Sequence, residues 1–390
     1  MLMTGNGLAQ ALQLLALLLL ARIYTPVDFG ILGEIQAFAT ITVVLITLQT
    51  HLLIPLSVSQ DEAERRLFIT HIVIFVVFLL LLIPIIFLSN FLALILALTL
   101  GITNSFTSYY VYKGAFSKLS YFYVMRALIM ITSQILFGIL NIENGLLYGA
   151  IFGEFFSAIY LGYHIIYHKL NVKYLYIIKN ISILDYLKEK KQFTLYGTLQ
   201  EFISVANFSL PLLLFIQVFG ENSGGQFAMA NRLVWAPVVL LSSSLAQVYY
   251  HNFTQNNKWE IMDTWIWFNI KFMIIILSIP LFYYFLSDIT TVVFGKEWEM
   301  TKAMIFYLLF SGIFFIYSIP YRVAFRAMEK LKVLMLIDFC FLLLTVSIFF
   351  FFALNEIEIV TSLAFISFTQ SILIVILSKK NYLSEVKKNV

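Results

Sequence analysis

The stretch Leu67–Leu88 reads LFITHIVIFVVFLLLLIPIIFL and contains no Asp, Glu, Lys or Arg. A helix of about 20 apolar residues is long enough to cross the hydrocarbon core of a bilayer. Arg65 and Arg66 come directly before this stretch, so the charged residues stop where the apolar run begins. Pro84 lies inside the run, and membrane bundles tolerate proline because neighbouring helices satisfy the freed carbonyl group. The stretch therefore predicts a membrane-spanning helix.

The whole chain has the same character. Of its 390 residues, 61% are hydrophobic and 12% are charged, and the mean hydropathy is +0.91. A soluble domain is about half apolar and a quarter charged, so this composition points away from a soluble enzyme. The 25 lysines and arginines only slightly outnumber the 21 acids, which argues against nucleic-acid binding. Cys340 is the single cysteine, so we expect no internal disulfide and no cysteine-based metal site.

Apolar runs of similar length recur and predict twelve spans in two sets of six. The spans lie near 3–22, 31–55, 67–88, 91–112, 120–140 and 145–167, and near 193–217, 225–250, 264–286, 300–324, 333–354 and 357–378. We predict an all-α polytopic membrane protein with two pseudo-symmetric six-helix lobes around a central cavity. Its parts are an N-terminal lobe at 1–167, a basic amphipathic cytoplasmic linker at 168–192, a C-terminal lobe at 193–378 and a basic cytoplasmic tail at 379–390.

Orientation follows from the positive charges. Most of the 25 lysines and arginines fall on one side of the membrane if the N-terminus is cytoplasmic. Cytoplasmic loops carry such an excess. Because the number of predicted spans is even, we expect the C-terminus on the same side.

The two halves of the chain show weak internal similarity. Gly30 and Gly225 precede the second and eighth spans, 195 positions apart, and Lys118-Leu119 and Lys330-Leu331 are 212 positions apart. Six spans per half give both halves the same orientation, so they would be parallel repeats. Two such lobes around a central site are typical of transporters.

Residues Ala21–Gly30 read ARIYTPVDFG. This stretch resembles the end of the first helix in the polysaccharide-biosynthesis flippases, which belong to the multidrug/oligosaccharidyl-lipid/polysaccharide exporter superfamily. Further stretches resemble motifs of the same family, in the family's order: Gly5–Gln10, Ser59–Glu64, Gln226–Leu233 and Phe294–Trp298. The resemblance covers both halves of the chain.

The resemblance implies a function. Such a flippase moves a polyprenyl-pyrophosphate-linked oligosaccharide from the inner to the outer leaflet of the bacterial cytoplasmic membrane. It would act on membrane lipid, and its partners would be the polysaccharide polymerase and the glycosyltransferases of the same pathway. The final polymer, whether O-antigen, lipopolysaccharide or capsule, stays open.

Charged side chains inside the predicted spans are candidates for the site, because each costs about 2.5–3.5 kcal/mol at mid-bilayer unless it faces a cavity or a partner. The spans contain Arg126, Arg232, Lys271 and Arg322 and the acids Glu34, Glu154, Glu201 and Asp338. They could form four structural ion pairs. Alternatively, they could create a cationic cavity for a pyrophosphate, which the forked donors of arginine suit.

Arg232 is the first candidate for such a cavity because it lies in the Gln226–Leu233 motif. The other cationic candidates are Arg126, Arg22, Lys271 and Arg322. Arg22, at the outer end of the first helix, could face the cavity or snorkel to the membrane interface.

Polar residues repeat at helical spacing in several spans and could line a wet interior. In the seventh span Gln200, Ser204 and Asn207 share a face, and Gln10 lies on a similar stripe in the first span. Asn231, beside Arg232, belongs to the same candidate lining. The alternative is hydrogen bonding between helices, which membrane bundles use widely.

Glu201 or Glu154 could couple transport to a proton or sodium gradient, since a buried carboxylate can titrate. Either could instead be the fixed partner of an arginine. His51 is expected to be a hydrogen-bonded interior histidine rather than a proton relay.

Two other functions compete with the flippase. One is a cation-coupled drug or metabolite antiporter of the same superfamily, which Glu201 keeps open. The other is a membrane-embedded glycosyltransferase or polymerase, which would need a large outer loop. The His, Cys and acidic residues show no metal-ligand spacing and no nucleotide-binding motif occurs, so we expect no enzyme, metal or cofactor.

Overall fold

The computed structural model describes residues 2–87, 91–169, 191–255, 293–327 and 330–388. These ranges are helical, contain no β-strand and include ten helices long and apolar enough to cross a membrane. One of the ten, Thr194–Ser242, overlaps two of the predicted spans, 193–217 and 225–250. The predicted span 264–286 lies outside the described residues. The predicted all-α polytopic class is confirmed.

The helices follow the predicted order. They are α1 Leu2–Ile23, α2 Pro26–Thr47, α3 Gln60–Phe87, α4 Phe91–Tyr112, α5 Phe116–Ile139, α6 Gly145–Lys169, α7 Thr198–Gln255, α8 Glu299–Ala327, α9 Leu331–Phe351 and α10 Glu356–Lys388. Three short helices, Thr50–Leu53, Gln192–Gly197 and Lys296–Trp298, accompany them.

The predicted bounds of the second span, 31–55, are wrong at both ends. Helix α2 begins at Pro26 because Thr25 and Asp28 cap it: the Thr25 N–H donates to Asp28 Oδ2 over 2.9 Å. Proline is favoured at the first helical position, where no N–H partner is needed. The helix ends at Thr47 because Leu48 and Gln49 have φ of 43° and 54°.

Helix α7 is interrupted by Gly220. Its φ of 82° and ψ of 176° lie in a region that only glycine adopts without strain. The interruption falls between the predicted spans 193–217 and 225–250, so the continuous element corresponds to two predicted helices.

Contacts between residues divide the chain into two compact units. The first unit contains Met1–Tyr24 and Ile31–Leu213, and the second contains Thr25–Gly30 and Leu214–Val390. Residues 193–213 thus group with the first unit, although the sequence assigns them to the second lobe. The division into lobes at 1–167 and 193–378 stays a prediction.

In the first unit, α5 and α6 pack closely through glycine. A Cβ on Gly149 or Gly153 would lie 2.7 Å from the Cα of Gln134 or Met130, so the backbones approach without intervening side chains. Ser133 Oγ reinforces this contact by donating to Gly149 O over 2.9 Å. Glycines spaced four residues apart, as Gly149 and Gly153 are, permit this close approach of two helices.

The core of the second unit lies between α8, α9 and α10. Tyr321 and Phe325 of α8 pack with Ile337 and Phe341 of α9 and with Ile374 of α10. These three helices hold a charged cluster described below.

Candidate functional site

Residues 25–30 belong to the second unit, where they meet another motif that resembles the family. Phe29 is fully buried, and its ring lies edge-to-face against Trp298 with centroids 5.2 Å apart. The first-helix motif and the Phe294–Trp298 motif are therefore in direct contact.

Gly30 and Gly225, which are 195 positions apart in the sequence, each lie against the backbone of the other's chain segment. A Cβ on Gly225 would overlap the carbonyl oxygen of Pro26 and would lie 3.0 Å from the backbone nitrogen of Gly30. A Cβ on Gly30 would overlap the carbonyl oxygen of Glu221. Both positions require glycine because two backbones pass each other here.

Gln226 forms hydrogen bonds with the Phe294–Trp298 motif and with the start of α8. Its Oε1 accepts from the backbone N–H of Thr301 over 3.0 Å, and its Nε2 donates to the carbonyl oxygen of Glu297. Sequence reasoning quoted Gln226 within a motif but gave it no role. A glutamine among small and apolar residues was the available signal, since a buried amide needs partners.

Arg232 lies beside Phe29 of the first-helix motif. It is half-buried, and its guanidinium carbon lies 5.5 Å from the centroid of the Phe29 ring. That distance suits a cation–π contact. Asn231 beside it is also half-buried. The motif residues thus combine a packed backbone crossing with one arginine stacked on an aromatic ring.

Arg126 and Glu154 form an ion pair in the first unit. Arg126 on α5 donates to Glu154 Oε1 on α6 through Nε, over 3.0 Å, and through a terminal nitrogen. The Glu154 side chain is 9% exposed. Its Oε2 is buried and makes no hydrogen bond within the described residues. This is the structural ion pair that the sequence left as one alternative.

Arg322 and Asp338 form a second pair, in the second unit. Arg322 on α8 donates to Asp338 Oδ1 on α9 over 3.2 Å. Gln370 on α10 donates to the same oxygen over 2.8 Å. Gln370 was not among the predicted residues, because nothing in a single sequence relates it to Asp338.

Two predicted cations remain, Arg22 and Lys271. Arg22 is exposed at the end of α1, and Lys271 lies outside the described residues. Tyr24, two residues after Arg22, anchors this end of α1 by donating to Gln134 O over 2.7 Å.

The predicted polar linings are partly accessible in the first unit. Gln200, Ser204 and Asn207 are half-buried, and Asn207 Nδ2 donates to Ile203 O of its own helix over 3.0 Å. Gln10 is half-buried, and its Oε1 makes no hydrogen bond within the part of the chain that is described.

Hydrogen bonding between helices also occurs in the first unit. Thr40 of α2 and Ser209 of α7 are linked through their hydroxyl oxygens, 3.0 Å apart. Hydrogen bonding between helices, one of the two alternatives for the polar residues, therefore occurs in this unit, and the lining of a wet interior stays a prediction.

Two titratable groups differ in accessibility. Glu201 is exposed on α7. His51 lies outside the membrane spans, and burial lowers its pKa from 6.5 to about 4. Its Nδ1 has no hydrogen-bond partner among the described residues, so the expected hydrogen-bonded state is not seen at that atom. Within the same ranges, no group of three or more His, Cys, Asp or Glu is placed to hold a metal ion.

The sequence matches no protein-family model and no curated protein sequence. Solved structures do match over nearly the whole chain. The lipid II flippase MurJ in an inward closed conformation has a TM-score of 0.71 at 15% identity, covering 98% of this chain and 89% of that one.

Two further structures are similar. An inward-facing multidrug resistance MATE family transporter of the MOP superfamily has a TM-score of 0.66 at 14% identity, covering 100% of this chain and 96% of that one. A MOP superfamily transporter from Pyrococcus furiosus has a TM-score of 0.60 at 13% identity, covering 98% and 94%. At these identities the likeness shows the fold alone, which this chain shares with these three structures.

Proposed function

We propose that this protein is a flippase that moves a polyprenyl-pyrophosphate-linked oligosaccharide from the inner to the outer leaflet of the bacterial cytoplasmic membrane. The similarity to the lipid II flippase structure over 98% of the chain supports the lipid-linked class of substrate. The motif resemblances in both halves support the polysaccharide branch.

The partners of the intramembrane carboxylates help to distinguish a flippase from an antiporter. An antiporter driven by a cation gradient needs a carboxylate that can exchange its proton or ion. Glu154 and Asp338 are each bound to an arginine of the same unit. A carboxylate that is paired with an arginine of a neighbouring helix joins the two helices. These two acids are therefore better suited to structure than to coupling.

Arg232 is the cation that we assign to the pyrophosphate. Its guanidinium carbon lies 5.5 Å from the centroid of the Phe29 ring, and the planar, forked donors of a guanidinium suit phosphate oxygens. In the proposed alternating-access cycle the sugars contact polar side chains, namely Gln200, Ser204, Asn207 and Asn231. The polyprenyl tail stays in lipid.

The setting of the proposed function follows the topology. Both termini would be cytoplasmic, and a polymerase and glycosyltransferases of the same pathway would supply and consume the cargo. The polymer would be an O-antigen, another lipopolysaccharide part or a capsule. A proton or sodium gradient would supply the driving force, because no nucleotide-binding motif occurs in the sequence.

The test is mass spectrometry of lipid-linked oligosaccharides in cells depleted of the protein. We expect a polyprenyl-pyrophosphate repeat unit to accumulate and the surface polymer to disappear, and the wild-type gene should reverse both. Arg232→Ala at normal membrane abundance should fail to restore the polymer, whereas Arg65→Ala, an exposed arginine at the start of α3, should restore it. Unchanged lipid intermediates on depletion would contradict the flippase.

A cation-coupled drug or metabolite antiporter is the second candidate. The unbonded Oε2 of Glu154 and the exposed Glu201 favour it. Depletion would then leave the lipid intermediates unchanged and raise sensitivity to cationic drugs, and Glu154→Gln or Glu201→Gln would abolish proton-coupled uptake. The glycosyltransferase alternative has weaker support, because the described connections on the predicted outer side, such as 140–144 and 352–355, are short.

A further inference from the structure

A pocket in the first unit lies at the predicted cytoplasmic side, and its lining includes none of the residues assigned to transport. The end of α4, the start of α5 and the middle of α6 enclose a volume of about 260 Å³. Its polar lining consists of Tyr110, Ser117, Lys118, Tyr121 and Tyr160.

The floor of the pocket is rigid and apolar. Phe122 and Leu161 are 1% and 2% exposed and belong to a buried cluster with Tyr110. Tyr110 is itself 8% exposed, yet its hydroxyl makes no hydrogen bond within the described residues. Tyr110 lines the pocket, and its hydroxyl oxygen is not among the buried atoms, so it keeps exposed surface there. The Tyr110 hydroxyl is therefore placed to meet a polar group of a ligand.

The rim of the pocket is cationic. Lys118 and Ser117 are exposed in the first turn of α5, and Ala115 at the N-cap provides no side-chain hydrogen bond. Free amides and the positive end of the helix dipole at this position favour an anion. The sequence contains no Asp or Glu between Glu64 and Glu143, so no acid of this segment neutralises Lys118.

The outer wall is aromatic and accessible. The side chains of Tyr121 and Tyr160 are 57% and 42% exposed. Tyrosine is enriched at the membrane interface because its ring is apolar and its hydroxyl is polar. A ligand in this pocket would therefore have an anionic group at the start of α5 and an apolar part along the tyrosines.

We propose that this pocket binds an anionic glycerophospholipid of the inner leaflet. The lipid phosphate binds Lys118 and the start of α5, the glycerol part meets the Tyr110 hydroxyl, and an acyl chain lies along Tyr121 and Tyr160. This assignment depends on the membrane orientation and not on the proposed cargo.

The test is lipid binding to the purified full-length chain by native mass spectrometry in detergent. The probes are phosphatidylglycerol, phosphatidylcholine and glycerol phosphate, which has the phosphate without acyl chains. Lys118→Gln should weaken phosphatidylglycerol binding about fivefold, as expected for one interfacial lysine. Tyr110→Phe keeps the ring and should weaken it about threefold.

Lys113→Gln is the matched control. Lys113 lies in the same connection but stacks over the rings of Tyr109 and Tyr112, 5.4 and 5.8 Å from their centroids, and does not line the pocket. The proposal expects this variant to bind phosphatidylglycerol as the wild type does, and the wild type to bind phosphatidylcholine more weakly. Equal losses in both lysine variants, or no loss in Lys118→Gln, would overturn it. Glycerol phosphate binding as tightly as the lipid would also overturn it and would indicate a soluble phosphate ligand.

Discussion

Arg126 on α5 and Asp338 on α9 lie 212 positions apart, the spacing that also relates Lys118-Leu119 to Lys330-Leu331. Each is the centre of an intramembrane ion pair within its own unit. The charge at this position is nevertheless reversed: the first unit has an arginine, and the second has an aspartate. Under the predicted repeat, an ion pair occupies the same place in both halves of the chain and is formed by different residues.

The two pairs also differ in how many helices they join. Arg126 and Glu154 connect α5 to α6, and one oxygen of Glu154 has no hydrogen bond within the described residues. Asp338 accepts from Arg322 on α8 and from Gln370 on α10, so it connects three helices. A carboxylate with a single partner loses all compensation when that partner is removed. The first pair should therefore be the more vulnerable.

The largest effect is expected for Arg126→Gln. It leaves the Glu154 carboxylate buried without its counter-charge, so the free energy of unfolding should fall by about 3–5 kcal/mol. Thermal unfolding of the purified protein in detergent measures the loss. The double variant with Glu154→Gln should be more stable than Arg126→Gln alone. A double variant as unstable as the single one would show that the pair has no such role.

The next effect distinguishes the units by pH. His51 in the first unit has a folded pKa of about 4 against 6.5 unfolded, so the unfolded state binds more protons between these values. Stability should fall as the pH drops from 6.5 to 4, by about 3 kcal/mol at most, and stay level above 7. Hydrogen exchange in the first unit measures this loss. His51→Gln should flatten the dependence, and an unchanged slope would contradict the assignment.

A smaller loss is expected for Asp338→Asn. Arg322 keeps its hydrogen bond to Ser318, 3.3 Å from Nε, and its position 5.3 Å from the Phe315 ring centroid. The asparagine can still accept from Gln370. We expect about 1–3 kcal/mol in the same unfolding measurement. If this variant lost as much as Arg126→Gln, the contrast between the two pairs would be void.

The smallest effect is expected for Gln370→Leu. It removes one of two donors to Asp338 and leaves the ion pair, so the loss should be about 1 kcal/mol. The double variant of Gln370→Leu and Asp338→Asn sharpens the account. Because the two residues share a hydrogen bond, its loss should be smaller than the sum of the two single losses. Full additivity would mean that Gln370 and Asp338 do not act together.

The sequence was sufficient for the helical class, because apolar runs reflect the need to satisfy backbone groups in lipid. It was less accurate for α2. The sequence contains the pattern of the Thr25–Asp28 cap, a threonine three residues before an aspartate. The predicted bounds of this span followed the hydropathy of the run and did not use the cap. The end of α2 depends on positive φ at Leu48 and Gln49. Leucine and glutamine rarely adopt positive φ, so the sequence does not predict this end.

The site was less predictable for a different reason. The charges inside the spans could be identified, but their partners depend on which helix faces which, and this is set by packing. Gly149 and Gly153 signalled one such contact, between α5 and α6. Gln370 gave no comparable signal, because an amide near a helix interface resembles one on a polar stripe.

The central claim is tested most directly by transport in liposomes that contain only the purified protein. A fluorescent polyprenyl-pyrophosphate oligosaccharide would be placed in both leaflets, and a membrane-impermeant reagent would bleach the outer one. The account predicts that the wild-type protein exposes the inner-leaflet lipid to the reagent, while liposomes with Arg232→Ala retain that signal as empty liposomes do. Retention of the inner-leaflet signal by correctly folded wild-type protein, with an ion gradient of either direction imposed, would contradict it.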